Sequence, residues 1–173
     1  FGTPSWVWKN QQRLVESQQA RPFFLFVGTL EPRKNLERII SAFKLFLGFE
    51  RPPEVSVWPS LVLVGGKGWK DSNLQRLMEP LIQSGDLQIH DYCSTDKLQD
   101  MYLSAQALLF PSLHEGFGFP ILEAMALGLP VITSGKGAMA EVAGQDALLV
   151  DPENIQELSQ AMQTIASSEK LRE

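Results

Sequence analysis

Short apolar runs recur along the chain, separated by stretches whose apolar residues fall three or four apart. Phe23-Phe24-Leu25-Phe26-Val27 is continuous rather than alternating and is bounded by Pro22 and Gly28. A run of this kind predicts a strand buried on both faces, and so a parallel sheet. Leu61 to Val64, Leu87 to His90, Ala107 to Phe110, Val131 to Thr133 and Ala147 to Val150 predict five more strands. Helical spacing fills the intervals: Leu36, Ile39, Ile40, Phe43 and Leu47 form one apolar stripe, with Asn35 placed to cap it. Further helices are expected over 72–83, after a cap at Ser94 or Thr95, from Pro120 to about Leu127, around Met139 to Val142, and from Ile155 to Ser167, opened by Asp151-Pro152. Three prolines in 48–60 mark a surface loop, and residues 1–22 read as a linker segment ahead of one domain, 23–173. Regular alternation of strand and helix predicts an α/β fold, a Rossmann-like parallel sheet of about six strands with helices on both faces.

In such a sheet ligands sit beyond the carboxyl ends of the strands, where the strand order reverses, and in a Rossmann-type order the first and fourth strands are neighbours there. The loops leaving those two strands carry the candidate chemistry. After the first come Gly28-Thr29-Leu30-Glu31-Pro32-Arg33-Lys34-Asn35; after the fourth come Leu113-His114-Glu115-Gly116-Phe117-Gly118-Phe119-Pro120-Ile121-Leu122-Glu123. Gly116 and Gly118 let the backbone approach a ligand, Pro120 suits a first helical position, and the helix start adds N–H groups and a positive dipole end. The expected guest is an anion, with Lys34 and Arg33 meeting the amides of Gly118, Phe119 and Ile121 around a diphosphate. Glu115 precedes the helix and Glu123 lies about one turn inside it, so the two carboxylates are expected to touch different parts of one ligand. Singly, each of these charges has an ordinary reading as a solvated loop or first-turn side chain; their combination carries the inference. His114 is read as a residue lining the pocket. The Gly65-Gly66-Lys67-Gly68 cluster lacks the full dinucleotide spacing and reads as a tight strand-to-helix turn.

Charge narrows the partners. The 173 residues carry a formal net charge of −5, with no general basic face, which argues against nucleic acid and leaves any phosphate to be held locally. Cys93 is the one cysteine, excluding an internal disulfide and disfavouring a zinc site. No Asp-x-Asp triplet is present, so no metal cofactor is expected, cationic side chains doing the charge neutralisation instead. No run approaches the roughly 18 to 20 apolar residues of a membrane span. The beginning at Phe1 suits a piece of a longer chain.

From about Phe23 onward the sequence resembles the retaining glycosyltransferases that use nucleotide-sugar donors and have the two-domain GT-B architecture, and it is similar to their C-terminal, donor-binding domain. The matching stretches are Phe26 to Asn35, Pro111 to Pro120 with Glu123-Ala124-Met125, Gly128 to Ile132, and Glu141-Val142-Ala143-Gly144. The resemblance implies that Glu123 bonds the nucleotide ribose, that Glu115 lies beside the donor sugar, and that Lys34 neutralises the leaving diphosphate, with Gly28, Arg33, Gly116, Phe117, Gly118, Phe119 and Ile121 around the substrate. It further implies an N-terminal acceptor-binding domain missing from this chain, so that the chain alone is expected to be inactive. A cytoplasmic location follows, with any membrane association through the absent regions. The chain departs from the family pattern at Thr29, where relatives carry an arginine, and at Asp91, where they have a glycine beside the base pocket near Tyr92, Cys93 and Leu98.

Other readings stay open at the level of sequence: a nucleotide-sugar epimerase of similar architecture, a glycosidase with paired carboxylates, or a binding module that kept the fold without catalysis. A glycosidase needs its two carboxyl groups about 5 Å apart, or about 6.5 to 9.5 Å, across one bond. Cations poised for a diphosphate serve no purpose in that reaction.

Overall fold

The computed structural model describes residues 21–66 and 72–168. The linker segment, apart from Arg21 and Pro22, and Lys67-Gly68 of the glycine cluster lie outside the described residues. Strands β1 (Phe23–Val27), β2 (Ser60–Val64), β3 (Leu87–His90), β4 (Ala107–Phe110), β5 (Val131–Ser134) and β6 (Leu148–Val150) pair in parallel in the order β3-β2-β1-β4-β5-β6. Helices α1 (Leu36–Leu47), α2 (Ser72–Gln83), α3 (Thr95–Ser104), α4 (Phe119–Ala126), α5 (Gly137–Ala143) and α6 (Ile155–Ser167) connect and cover them. β1 and β4 are therefore neighbours at the point where the order reverses.

Alternation along each strand sends its side chains to two cores. Phe24, Phe26, Leu61, Leu63 and Leu109 face Ile39, Phe43 and Phe46 of α1, Met78 of α2 and Leu158 and Met162 of α6. Leu25, Val62, Val64, Leu108 and Phe110 face Tyr102 of α3, Ile121 and Ala124 of α4, and Met139 of α5. With apolar partners on both sides, β2, β4 and β5 are buried throughout, which is why Leu61 to Val64 and Ala107 to Phe110 run apolar without alternation. The proline-rich segment before β2 is less superficial than its composition predicts: Trp58 is 7% exposed and its ring packs 4.7 Å from that of Phe46.

Three local expectations need correction. Asn35 precedes α1, but in the left-handed conformation (φ 63°) and without a side-chain cap bond: its side-chain oxygen accepts from Arg38 at 3.1 Å and its amide donates to carbonyls outside the helix. Helix α4 begins at Phe119, capped by Gly118 at φ 89°, which puts Pro120 at the second helical position rather than the first. The final helix is opened by Asn154, whose side chain accepts the Glu157 amide, and not by Asp151-Pro152. Ser94 caps α3 by accepting the Lys97 amide, one of the two alternatives the sequence leaves.

Candidate functional site

The carboxyl ends of β1 and β2, beside the switch point, are fitted to each other by glycines. Gly28 donates its N–H to the Val64 carbonyl at 2.9 Å, and Gly65, at φ 155°, lies so close that a Cβ there would stand 2.0 Å from the Gly28 oxygen. No side chain fits that gap. The Gly65-Gly66 pair thus serves the approach of two strand ends.

From Gly28 the chain enters a 3-10 turn, Pro32–Lys34. The buried Asn35 side chain donates to the Pro111 carbonyl at 3.0 Å and to the Pro152 carbonyl at 2.6 Å, and the Leu113 amide donates to the Arg33 carbonyl at 2.8 Å. The segments leaving β1, β4 and β6 are fastened together by these bonds. They bring Lys34 and Glu115, distant in sequence, into one cluster.

Lys34 is 7% exposed, unusual for an ammonium, which is costly to bury unless paired. Its Nζ lies 2.6 Å from Glu115 Oε1 and 4.7 Å from the centre of the Phe110 ring. Arg33 places Nη1 2.7 Å from the other Glu115 oxygen and Nε 2.8 Å from Glu31 Oε2. Burial pushes the Glu115 carboxyl upward, but Lys34, the Ser112 hydroxyl and Arg33 outweigh it and hold the group below its ordinary range. Glu115 is therefore an anion with both oxygens held by cations.

Glu123 sits differently, although it belongs to the same motif. It lies half-buried in the first turns of α4, and Tyr102 of α3 donates its hydroxyl to Glu123 Oε2 at 2.8 Å. Burial raises this carboxyl, the tyrosine bond only partly opposing it. Burial and the neighbouring carboxylate oppose ionisation of the fully buried Tyr102 hydroxyl, so it remains a donor.

The other predicted residues fall as follows. Gly116 is exposed, with open space where a side chain would project. Phe117 and Phe119 are partly exposed and their rings lie 4.9 Å apart. Gly118 is buried beneath them, and a side chain there would press on Ile121 at 3.2 Å. Ile121 is a correction: its amide donates to the Gly118 carbonyl at 3.0 Å and its side chain is fully buried, so it offers nothing to a ligand in this arrangement. The amides of Gly118 and Phe119 remain as candidates. His114 is exposed, and Tyr92 is 89% exposed with its ring against Gly66.

Among the described residues no group of three or more His, Cys, Asp or Glu side chains is gathered as metal ligands would be, and no helix is long and apolar enough to cross a membrane. A cleft of about 290 Å³ lies beside the cluster, lined by Leu30, Glu31, Asn35, Arg38 and Leu113 among others. A larger cavity, about 530 Å³, opens at the amino ends of β5 and β6, lined by Leu129, Pro130 and Asp146 among others. It is at the opposite end of the sheet from the charged cluster, and none of Lys34, Arg33 and Glu115 lines it. Two partners escape sequence reasoning. Asn35 reads as a helix cap, and Tyr102 reads only as an inward-facing helix residue; nothing in the spacing ties either to the motif carboxylates.

Residues 9–173 match the family described as Glycosyl transferases group 1. The O-antigen chain mannosyltransferase B of Escherichia coli is 36% identical over 137 residues, covering 79% of this chain and 35% of that protein. The O-antigen chain mannosyltransferase RfbU of Salmonella typhimurium is 30% identical over 159 residues, covering 90% of this chain and 42% of its own. Among solved structures, sucrose-phosphate synthase from Thermosynechococcus elongatus superposes with a TM-score of 0.65 at 29% identity, over 84% of this chain and 36% of that one. The UDP-forming alpha,alpha-trehalose-phosphate synthase of Burkholderia vietnamiensis, at 19% identity and TM-score 0.67, shares the fold. The chain thus spans well under half the length of these relatives.

Proposed function

The chain belongs to the group 1 glycosyl transferases, and from that premise we propose that it is the donor-binding half of a retaining enzyme. It holds a nucleoside diphosphate-sugar for transfer of the sugar to a glycan, lipid or other acceptor. The observation that carries this reading is the Lys34, Arg33 and Glu115 cluster at the β1/β4 switch point, Glu115 lying in the loop that leads into α4. Two cations beside a helix N-terminus suit a diphosphate, and a carboxylate on the same cluster suits sugar hydroxyls.

In the proposed reaction the bond from the anomeric carbon to the diphosphate oxygen breaks with its electron pair on that oxygen. Lys34 and Arg33 offset the charge that develops there, and no resident metal is required. The acceptor oxygen bonds to the same face of the sugar and its proton passes to the departing phosphate. Glu115 holds the sugar and favours positive character at the anomeric carbon, while Glu123 accepts a ribose hydroxyl. The mannosyltransferase names of the relatives support a hexosyl group as cargo and a growing polysaccharide as acceptor. A second domain, outside this chain, binds that acceptor, and the whole works on the cytoplasmic side.

Calorimetric titration with UDP, GDP and ADP tests the reading. One of the three is expected to bind, and sugar transfer by this chain alone is expected to be undetectable. Binding of none would overturn the donor-half assignment; transfer by the isolated chain would overturn the need for a second domain.

A further inference from the structure

We infer that Tyr102 is a positioning residue for nucleotide binding: it fixes Glu123 so that one carboxylate oxygen is held by the protein and the other is presented to the ribose. The inference rests on the proposed ribose contact of Glu123 and adds to it a residue on a different helix.

The geometry supports it in three ways. First, the Tyr102 hydroxyl donates to Glu123 Oε2 at 2.8 Å, a bond that engages that oxygen alone. Oε1 is left to other donors. Second, the tyrosine ring cannot follow the carboxylate if it swings. It is 0% exposed and belongs to the core of Leu25, Val62, Leu108, Phe110 and Ile121, so the position of the hydroxyl is set by the packing of α3 on the sheet. A carboxylate on the first turns of α4 would otherwise sample several rotamers, at an entropic cost on binding. Third, the phenol is a dependable donor, since burial and the nearby carboxylate both oppose its ionisation. A carboxylate accepting a bond from a hydroxyl also stays ionised more readily than burial alone permits. Glu115 is arranged differently, since both of its oxygens end on cations.

The test uses the chain with Tyr102→Phe, Glu123→Gln and the double substitution. The probes are UDP, GDP and ADP, the 2′-deoxy and 3′-deoxy forms of whichever binds, and inorganic pyrophosphate. Tyr102→Phe is expected to weaken nucleotide binding about tenfold, the effect of losing one well-placed hydrogen bond to a charged group. It is also expected to shrink the preference for ribose over deoxyribose and to leave pyrophosphate affinity unchanged. In the Glu123→Gln background Tyr102→Phe is expected to cost no further affinity, because its effect runs through that carboxylate. Unaltered pyrophosphate affinity and a cooperative thermal transition would separate this from misfolding. If wild type discriminates ribose and Tyr102→Phe discriminates it equally well, the role of Tyr102 is overturned and Glu123 keeps its assignment. If wild type does not discriminate ribose, or binds no nucleotide, the assignment of Glu123 fails and this inference fails with it.

Discussion

Glu115 and Glu123 stand eight positions apart in one motif, and the fold gives them opposite surroundings. Glu115 receives an ammonium on one oxygen and a guanidinium on the other, and is held an anion against its burial. Glu123 receives one neutral hydroxyl, and burial dominates, pushing its carboxyl above the ordinary range. The difference teaches that the role of a carboxylate is set by what the rest of the chain delivers to it. Glu115 is met by the loop after β1, two strands' worth of chain away, and Glu123 by the buried face of α3. One is an electrostatic centre, the other a hydrogen-bonding post.

The contrast can be broken most forcibly at Lys34. Lys34→Ala removes the partner of a nearly buried carboxylate and is expected to destabilise the fold by about 3 kcal/mol, seen as a lower urea midpoint. Arg33 keeps one oxygen satisfied and limits the loss. Tyr102→Phe removes a neutral donor from Glu123 and is expected to cost less, about 1.5 kcal/mol, in the same measurement. A cost equal to or larger than that of Lys34→Ala would erase the distinction between the two sites.

The dependence on pH sharpens it further. The folded Glu115 carboxyl lies below its ordinary value of 4.5, so its ion pairs add stability above that value and lose it as pH falls through the lower folded value. The folded Glu123 carboxyl lies above 4.5, so its contribution is most favourable below that value and declines as pH rises through the higher folded value. Urea midpoints across the acid range are expected to show opposite slopes in the two difference curves, wild type minus Glu115→Gln and wild type minus Glu123→Gln. Slopes of the same sign would contradict the assignment. Smallest is Arg33→Ala, expected to change stability by only a few tenths of a kcal/mol, about the worth of an exposed pair, because that side chain is 46% exposed.

Much of the frame is legible in the sequence because the physics that sets it is local. The continuous apolar runs between Pro22 and Gly28 and from Ala107 to Phe110 match β1 and β4 residue for residue, and the stripe from Leu36 to Leu47 matches α1. A strand buried on both faces can hardly be written otherwise. The neighbouring of β1 and β4 also follows, since alternation of strand and helix restricts the topologies. Less legible is what polar side chains do across the fold. Asn35 has the composition of a cap, yet its left-handed backbone turns the amide toward the Pro111 and Pro152 carbonyls. Ile121 looks like a helix-start amide donor, but the tight turn at Gly118 claims its N–H. The bond from Tyr102 to Glu123 joins two helices on one face of the sheet, and no spacing rule spans that distance. Contacts of this kind depend on tertiary packing, which periodicity does not encode.

The central claim is that the cationic cluster reads the diphosphate of a nucleotide. It is tested most directly by calorimetric titration of wild type and Lys34→Ala with the di- and monophosphates of the nucleoside that binds, at one fixed salt concentration. Wild type is predicted to prefer the diphosphate, and Lys34→Ala to lose most of that preference while still binding the monophosphate. An unchanged preference for diphosphate in Lys34→Ala would contradict the account.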